Sequence, residues 1–355
     1  MNHPIKNSLI RIFITMACAV TLVVSLAWYS DYRSPKLNGF TRHFPGTTPL
    51  LTHTLSSRYT ITAVAGFTAT SIYFQTLNPA LILRANHQLG DTSYIFLPVD
   101  SFYRTATNFE YQIDSPNIYL FARNVPAIYK WDLVSKKKIS QSYTSRIFTR
   151  SLVLEPNRFF LRGFDSSIKI PGQIFLKGSF QQGVTYRESK LIPPHKDLGM
   201  PTDGILLRDQ NTDRLVYVFF YKNSYLVLDT NFNLSGQGET IDPVDSALLK
   251  VGGGIKEGKT FGYTNTSPKR IVNIESCISD GILYNNSLIK ADNESNHTFA
   301  SNNAIDMYDL KTYLYRGSLD IPLLNEAKIS RFKVFQHDLV AIFTDGTAGI
   351  FKIGE

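Results

Sequence analysis

The sequence predicts an all-β fold, a β-propeller of seven or alternatively six blades, preceded by a single N-terminal transmembrane helix. Short apolar, aromatic-rich runs joined by tight polar turns recur along nearly the whole chain after residue 50, which indicates a series of β-hairpins. Aromatic residues make up 13% of the 355 residues, and they favour strands. Corresponding apolar positions in the second runs are spaced on average by about 46 residues, a period typical of four-stranded propeller blades.

The N-terminal segment is predicted to cross a membrane. The 18 residues from Ile12 to Tyr29 carry no charge, and Lys6 and Arg11 precede them. About 20 apolar residues span a bilayer as a helix, and basic residues in front of such a helix place the N-terminus in the cytoplasm. The domain boundaries that follow are these: cytoplasmic N-terminus 1–11, transmembrane signal-anchor 12–29, tether 30–50 and propeller 51–355.

This topology places the body of the protein on the periplasmic, or more generally extracytoplasmic, side of the cell membrane. The alternative is cleavage after a signal peptide, because Ser25-Leu26-Ala27 resembles a small-x-small cleavage site. The body would then be secreted or periplasmic. A lipoprotein attached at Cys18 is disfavoured, since Thr15-Met16-Ala17 is a poor lipobox.

Seven hairpins support the repeat. The clearest of them joins Ile118–Ala122 to Ala127–Leu133 through a polar turn. The pairs of runs are 59–64 with 69–74, 118–122 with 127–133, 158–164 with 168–176, 215–221 with 224–229, 260–263 with 270–274, 299–301 with 304–310, and 339–344 with 347–353. The fifth lies only 36 residues beyond the fourth, which leaves little room for four strands; one fewer blade gives the six-bladed alternative.

Two further features fit a closed ring. Asp132, Asp229 and Asp309 each follow an apolar strand end, where a carboxylate can accept backbone N–H bonds of the following turn. The chain also finishes on a predicted strand, 349–353. A propeller must join its ends or expose edge strands, so we expect a strand from about residues 37 to 58 to complete the last blade.

Composition narrows the classes of function. The chain has 43% hydrophobic and 19% charged residues and a formal charge of +8, which is globular and mildly basic. Such an excess suits an anionic membrane surface or an anionic ligand, and we expect no nucleic acid partner for an exported body. Only Cys18 and Cys277 are present, so we expect neither an intramolecular disulfide nor a zinc motif.

Several stretches carry a resemblance. They are S-R-I-F-T-R-S-L at 145–152, D-L-G-M-P-T-D-G at 197–204, V-Y-V-F-F-Y at 216–221 and A-I-D-M-Y-D-L at 304–310. The chain resembles the six- or seven-bladed propellers of bacterial cell envelopes, and in particular a group of membrane-anchored bacterial proteins with no established activity. The resemblance implies a fold and a membrane address, and it implies no site residue.

The first candidate site is a cluster of arginines, Arg146, Arg150, Arg158 and Arg162. If Arg158 and Arg162 share one sheet face by the period of two, they can hold a carboxylate or phosphate through bidentate hydrogen bonds. The alternative is a set of exposed arginines paired with Glu155 and Asp165.

The second candidate is the loop from Pro193 to Gly204, which offers His195, Asp197 and Asp203. Loops on rigid β scaffolds often carry binding residues. One His and two carboxylates are nevertheless an incomplete set for a metal or a general base, and an ordinary loop is the alternative.

Other motifs point to no reaction. Residues 292–297 have spaced oxygen ligands but lack the glycine and the final glutamate of an EF-hand. The glycines at 252–254 lack a following Lys-Ser/Thr, so a flexible turn is expected there. We predict no metal, no cofactor and no catalytic residue.

The expected function is a binding or scaffold module for an envelope protein, a peptide or a glycan. The alternative is a hydrolase or lyase with its site in the central channel. The two functions are distinguished by whether candidate catalytic side chains converge on one pocket. An enzyme needs two or more of His195, Asp197, Asp203 and the inner-strand carboxylates to point into one pocket.

Overall fold

The structure is a computed structural model. It describes residues 3–33, 37–46, 48–100, 107–125, 127–144, 147–164, 172–193, 199–247, 251–256, 259–265 and 270–354. Within these ranges, the chain forms one long N-terminal helix, six four-stranded antiparallel sheets, one isolated two-stranded hairpin and one short helix.

The elements follow one another in chain order as follows. The N-terminal helix is α1 (His3–Arg33), and the first strand is β1 (Leu50–Leu55). Blade 1 consists of β2 (Ile61–Phe67), β3 (Ile72–Thr76), β4 (Leu81–Ala85) and β5 (Ser93–Phe96). Blade 2 consists of β6 (Phe109–Asp114), β7 (Asn117–Ala122), β8 (Ala127–Asp132) and β9 (Lys138–Tyr143). Blade 3 consists of β10 (Phe148–Glu155), β11 (Arg158–Phe164), β12 (Gln173–Ser179) and β13 (Gly183–Glu188). Blade 4 consists of β14 (Gly204–Asp209), β15 (Arg214–Phe219), β16 (Ser224–Leu228) and β17 (Leu234–Glu239). A separate hairpin follows, β18 (Val251–Lys256) and β19 (Lys259–Asn265). Blade 5 consists of β20 (Asn273–Ser279), β21 (Ile282–Ser287), β22 (Asn302–Asp309) and β23 (Tyr315–Pro322), with the short helix α2 (Asn296–Ser301) before β22. Blade 6 consists of β24 (Ile329–Phe335), β25 (Asp338–Phe343), β26 (Ala348–Lys352) and β1.

The fold is therefore an all-β, six-bladed β-propeller. The alternative of six blades is confirmed, and the preferred count of seven was wrong. The error lies in the fifth predicted hairpin, 260–263 with 270–274. Its first run belongs to β19, which pairs with β18 in a two-stranded sheet of its own, and its second run leads into β20, the innermost strand of blade 5. An inserted hairpin has the same local pattern as a blade hairpin, so the sequence repeat counted it as a blade.

The ring closes as the sequence predicts. β1 pairs in antiparallel fashion with β26, with Leu50 opposite Lys352 and Leu55 opposite Ala348. The outermost strand of blade 6 thus comes from the N-terminal side of the chain, and the other three come from its end. This arrangement removes the edge that an unclosed ring would expose.

The apolar core of the described residues lies between the blades. Six clusters of buried side chains fill the six spaces between neighbouring blades. Trp131 and Tyr129, for example, are stacked with ring centroids 5.3 Å apart between blades 1 and 2. Each strand contributes to both sides of its blade, so the strands of the second and third positions are buried throughout, as in β7 and β16.

The aspartates at the strand ends have the role that the sequence predicts. Oδ1 of Asp132 accepts hydrogen bonds from the backbone N–H groups of Val134 and Ser135, at 3.2 and 2.6 Å. Asp229 and Asp309 repeat the motif with the backbone of residues 231, 233, 311 and 312. All three turns connect the third strand of a blade to the fourth.

Part of the segment predicted as a tether is bonded to blade 5. The backbone N–H groups of Asn38 and Gly39 donate to the Asp292 carboxylate at 2.6 and 2.9 Å. The guanidinium of Arg42 is buried and pairs with Asp306 through Nε at 2.8 Å and with Glu294 through Nη1 at 2.5 Å. Residues 38–43 are therefore held along the rim of this blade.

The two faces of the ring differ. We call the face where the six innermost strands begin the mouth face; it also carries the loops between second and third strands, such as 288–295. We call the opposite face, which carries the turns at Asp132, Asp229 and Asp309, the far face. Because successive strands alternate in direction, this assignment follows from the antiparallel order of every blade.

Candidate binding site at the channel mouth

The innermost strands of all six blades line a central channel with a volume of about 640 Å³. β2, β6, β10, β14, β20 and β24 each contribute residues to its wall. One group of charged side chains lies near the mouth face. It consists of Glu110, Arg150, Glu275 and Arg331 at the beginnings of innermost strands, Arg123 after the end of β7, and Lys333 two residues further along β24. A second group, Asp114, Arg208, Asp209 and Asp280, lies near the far face.

A repeated irregularity aims the wall residues. In blades 1, 3, 5 and 6, the register between the first and second strands shifts at the second residue of the innermost strand. In three of these blades the residue at the shift has a hydroxyl group that donates to a carbonyl of the second strand: Thr62 to Gln75, Thr149 to Arg162 and Ser330 to Ile342, at 3.0 to 3.4 Å. Such bulges redirect the neighbouring side chain. The residues that follow the four shifts are Ala63, Arg150, Glu275 and Arg331, all in the channel wall.

Each carboxylate at the mouth is paired with an arginine. Arg123 donates to Glu110, which also accepts from Gln112 at 3.0 Å. Nη1 of Arg331 lies 2.9 Å from Oε2 of Glu275. Arg150 reaches across to blade 4, where Nη2 is 3.0 Å from Oδ2 of Asp203.

The cations at the mouth also act on one another across the channel. Burial lowers the pKa of the Arg123 guanidinium, the Glu110 carboxylate opposes this, and the charges of Arg150 and Arg331 lower it further. Nε of Arg123 is buried without a hydrogen-bond partner among the described residues. Three guanidinium groups from blades 2, 3 and 6 are thus close enough to repel each other, a situation that a bound anion relieves.

The two channel glutamates have opposite environments. Burial raises the pKa of Glu275 to about 7, and repulsion by Glu110 adds to this effect despite the opposing charge of Arg331. Burial also raises the pKa of Glu110, but Arg123 and the hydrogen bond from Gln112 more than offset it, so the pKa lies below its usual value. Of these two glutamates, Glu110 therefore stays ionised and Glu275 titrates near neutral pH.

Lys333 lies deeper in the same channel. Its Nζ is 3.3 Å from the carbonyl oxygen of Ala65 in blade 1. Burial lowers the pKa of Lys333, while the charges of Glu110, Cys277 and Glu275 oppose the shift. Burial raises the pKa of the Cys277 thiol, so this cysteine is a protonated wall residue at neutral pH.

The arginines predicted as one cluster separate into different environments. Arg150 is at the channel mouth. Arg158 is the first residue of β11, on the far face, and its guanidinium Nη1 is 3.0 Å from Oε1 of Glu155 on the surface. Arg158 and Arg162 are four residues apart on one strand, which corresponds to about 13 Å, too far for one carboxylate to bridge. Arg146 lies outside the described residues.

Arg162 is fully buried between blades 3 and 4. Its guanidinium stacks on Phe175 and Tyr217, with centroid distances of 4.7 and 5.6 Å. Nη2 is 3.3 Å from Oγ1 of Thr202, and Nε and Nη1 have no hydrogen-bond partner in the described part of the chain. It stands directly opposite Arg150 in the β10–β11 ladder, so both arginines lie at the mouth-face end of this interface.

Of the loop 193–204, the structure places Asp203 beside Arg150, at the edge of the channel mouth. His195 and Asp197 lie outside the described residues. The oxygen-rich segment 292–297 uses its side chains internally, since Asp292, Asn293 and Glu294 all bond the docked segment 38–43. The glycines at 252–254 are in β18 rather than in the flexible turn that their sequence predicts.

Sequence reasoning missed Glu110, Arg123, Glu275, Arg331 and Lys333. In blades 2, 3, 4 and 6, the predicted hairpins correspond to the second and third strands, which are the most apolar, and the innermost strands of these blades were passed over. A signal was present: a Thr or Ser follows Ile or Phe and precedes a channel residue at 61–63, 148–150 and 329–331. This triplet marks the bulge that directs side chains into the channel.

Comparison with known proteins supports the fold. No family model matches the chain, and no curated protein matches it either. Solved β-propellers do resemble it. The β-propeller domain of Cps50 (Swd1) from Myceliophteria thermophila superposes with a TM-score of 0.51 and 9% identity over 86% of this chain and 100% of that one.

Two further propellers resemble the chain to a comparable extent. A catalytically inactive virginiamycin B lyase from Staphylococcus aureus, solved with quinupristin, has a TM-score of 0.51 and 10% identity over 86% of this chain and 99% of that one. The WD40 propeller domain of Doa1 has a TM-score of 0.50 and 6% identity over 88% and 99% of the two chains. At these identities the likeness concerns the fold alone.

Proposed function

We propose that this protein is a membrane-anchored β-propeller whose body lies outside the cytoplasm and binds an anionic group at the mouth of its central channel. The observation that carries the binding proposal is the convergence of Arg123, Arg150 and Arg331 from three different blades on one cavity. Arginine is suited to carboxylates and phosphates because its planar fork donates two parallel hydrogen bonds.

The charge balance supports an anion. At the mouth end of the channel, four basic side chains, the three arginines and Lys333, face three carboxylates, those of Glu110, Glu275 and Asp203. The three arginines alone balance these carboxylates when all are ionised, and protonation of Glu275, whose pKa is about 7, leaves an excess of positive charge. The free Nε of Arg123 and the repulsion among the guanidinium groups both give an anion more favourable interactions than water provides.

The test is anion-dependent stabilisation of the full chain in detergent micelles, with inorganic phosphate as the probe. A ligand that binds only the folded state raises the unfolding free energy by about 2.7 kcal/mol at 100 times its dissociation constant. We expect phosphate to raise the melting temperature of the unmodified chain, and Arg331→Gln and Arg123→Gln to reduce that rise.

The matched control is Arg316→Gln, which removes an arginine of similar exposure on β23, away from the channel; the Arg316 and Arg331 side chains are 58% and 51% exposed. Phosphate also stabilises proteins by exclusion from their surface, and this part is the same in all variants. Equal phosphate responses in Arg331→Gln, Arg123→Gln and Arg316→Gln would refute binding at the mouth.

The membrane address rests on α1. Its stretch Ile10–Tyr29 has a mean hydropathy of 2.2, and no part of it is buried within the protein. Lys6 and Arg11 flank its N-terminal side, which favours a cytoplasmic N-terminus and an exported body. Protease added to spheroplasts of an expressing bacterial host is expected to digest residues 37–355. Full protection would contradict the topology.

A second candidate function is hydrolysis or elimination within the channel. The observation that favours it is the pair Glu110 and Glu275, two inner-strand carboxylates in one cavity whose pKa values are shifted in opposite directions. Such a division is typical of acid and base partners. Loss of any detected turnover in Glu275→Gln, with phosphate binding intact, would support this role; unchanged turnover would remove it.

A further inference from the structure

The short connection between the membrane helix and the ring restricts how the ring can be oriented. α1 ends at Arg33, and the first residue bonded to blade 5 is Asn38. Five peptide steps span at most about 18 Å, and the four helical residues after Tyr29 add about 6 Å. The point of attachment is therefore within roughly 24 Å of the apolar boundary of the membrane.

This attachment lies on the mouth face. Asn38 and Gly39 bond the 288–295 loop, which connects the second and third strands of blade 5. A blade whose strands have about six residues is about 20 Å thick. For the far face to approach the bilayer, the connection would have to be almost fully extended and spend about 20 of its roughly 24 Å along the thickness of the ring, whereas the mouth face is reached without this extension.

The arginines at the channel mouth favour this orientation. Arg123, Arg150 and Arg331 converge there. Basic groups close to an anionic bilayer surface are each stabilised by about 1 kcal/mol. On the far face, the turn carboxylates are accompanied by Lys136, Lys137, Lys138 and Lys311, so the distinguishing feature of the mouth face is the convergence of its arginines.

Exposed apolar side chains accompany the basic mouth. Leu77, Ile147 and Leu288, which are 66%, 52% and 38% exposed, lie on mouth-face loops of blades 1, 3 and 5. They are spaced at every second blade around the ring. The far face exposes Val134, Leu234 and Leu314, which are 84%, 52% and 65% exposed, so the orientation rests on the point of attachment and on the arginines of the mouth rather than on apolar exposure.

From these observations we infer that the ring docks with its mouth face against the bilayer, and that the anion recognised at the channel mouth is the phosphate of an anionic lipid headgroup. The headgroup assignment rests on the proposed anion-binding function, and the orientation rests on the proposed insertion of α1 into the membrane. The partner surface is thus the same membrane into which α1 inserts.

The experiment uses the full chain in lipid nanodiscs with a fluorophore at one of two positions. Asn124→Cys places the label on the mouth face of blade 2, opposite the anchored blade 5. Lys311→Cys places it on the far face of blade 5 itself. Both residues are exposed. The unmodified chain gives the background from Cys18 and Cys277.

A quencher attached to lipid headgroups then reports proximity. Docking of the mouth face predicts that the Asn124→Cys label is quenched several times more than the Lys311→Cys label in nanodiscs containing phosphatidylglycerol. A ring hanging edge-on from blade 5 would give the reverse order, because blade 2 would be furthest from the membrane. Equal or reversed quenching therefore overturns the orientation.

A second arm separates the source of the anion. If a lipid phosphate occupies the mouth, Asn124→Cys quenching is weaker in nanodiscs of phosphatidylcholine alone, and Arg331→Gln weakens it in phosphatidylglycerol nanodiscs whereas Arg316→Gln does not. Quenching that is indifferent to both changes overturns the headgroup assignment.

The outcomes are distinguishable from failure of the proposed function. A phosphate-dependent rise in melting temperature without mouth-face quenching would leave the anion site in place and refute docking. Mouth-face quenching without any phosphate response would retain docking and refute the anion site.

Discussion

Replacing Arg42 by alanine is expected to destabilise the protein strongly. The Arg42 side chain has no exposed surface, and its guanidinium donates to Asp306 at 2.8 and 3.1 Å and to Glu294 at 2.5 Å. Burial lowers the pKa of Arg42, but the charges and hydrogen bonds of Asp306 and Glu294 raise it above its usual value. The two carboxylates, which are 1% and 3% exposed, lose in Arg42→Ala the cation with which they pair in the described part of the chain.

Removing one partner from a buried ion pair costs about 3 to 5 kcal/mol, because a charge is left without compensation. One kcal/mol corresponds to a change in melting temperature of about 2 °C for a domain of this size. We therefore expect Arg42→Ala to lower the melting temperature by roughly 6 to 10 °C, measured by circular dichroism on the full chain in detergent.

The control is Arg316→Ala, whose guanidinium is 4.0 Å from Asp309 and 58% exposed. Exposed pairs of this kind contribute at most about 1 kcal/mol. A change in Arg42→Ala no larger than that in Arg316→Ala would refute the reasoning. Loss of the ion pairs of Arg42 with Asp306 and Glu294, which we call the Arg42 clamp, also has a local readout. Release of residues 38–43 should expose them to limited proteolysis, and Arg316→Ala should not.

Three other predictions follow from particular residues. The pKa of Glu275 in the folded protein is about 7, above its value in the unfolded chain. The contribution of Glu275 to stability is therefore complete below about pH 4.5 and is lost as the pH rises towards 7. Relative to Glu275→Gln, the unmodified chain should lose up to about 3 kcal/mol of unfolding free energy between pH 4.5 and 8, and parallel pH profiles of the two proteins would contradict this. Asp229→Ala removes the acceptor of two turn N–H groups and should cost about 1 to 2 kcal/mol, whereas Asp229→Asn keeps the acceptor oxygen and should cost less, as measured by thermal unfolding. Replacement of residues 251–265 by a short Gly-Ser link should leave the sheet spectrum and the melting temperature nearly unchanged, because among the described strands β18 and β19 form a sheet of two. Collapse of the fold would mean that this hairpin is part of the ring.

Much of the fold could be predicted from the sequence because the second and third strands of the blades have a recognisable apolar pattern. In β7–β8 and β15–β16, both faces of each strand are buried between neighbouring blades, which produces continuous apolar runs joined by polar turns. The closing strand β1 was also predictable, since a ring that ends on β26 needs a partner from elsewhere. The blade count failed at β18–β19, where a local pairing imitates the repeat without joining it.

The candidate site was less accessible to sequence reasoning because its contacts join different blades. Arg150 meets Asp203 across blades 3 and 4, and Arg331 meets Glu275 across blades 6 and 5. No spacing along the chain encodes these pairs. Arg158 and Arg162 show the opposite case. They lie on the same strand, as predicted, but Arg158 is on the surface and Arg162 is buried between blades 3 and 4.

The position of the clamp at Arg42 relative to the closing strand gives it a mechanical role. The chain runs from α1 through the docked residues 38–43 and only then to β1, which completes blade 6. β1 is largely exposed or half-buried, so its ladder to β26 is its main attachment. Because Asn38 and Arg42 bond blade 5 first, a force applied through α1 loads the buried Arg42 pairs before it reaches that ladder. The Arg42 pairs are therefore expected to protect the closing strand from a pull on α1.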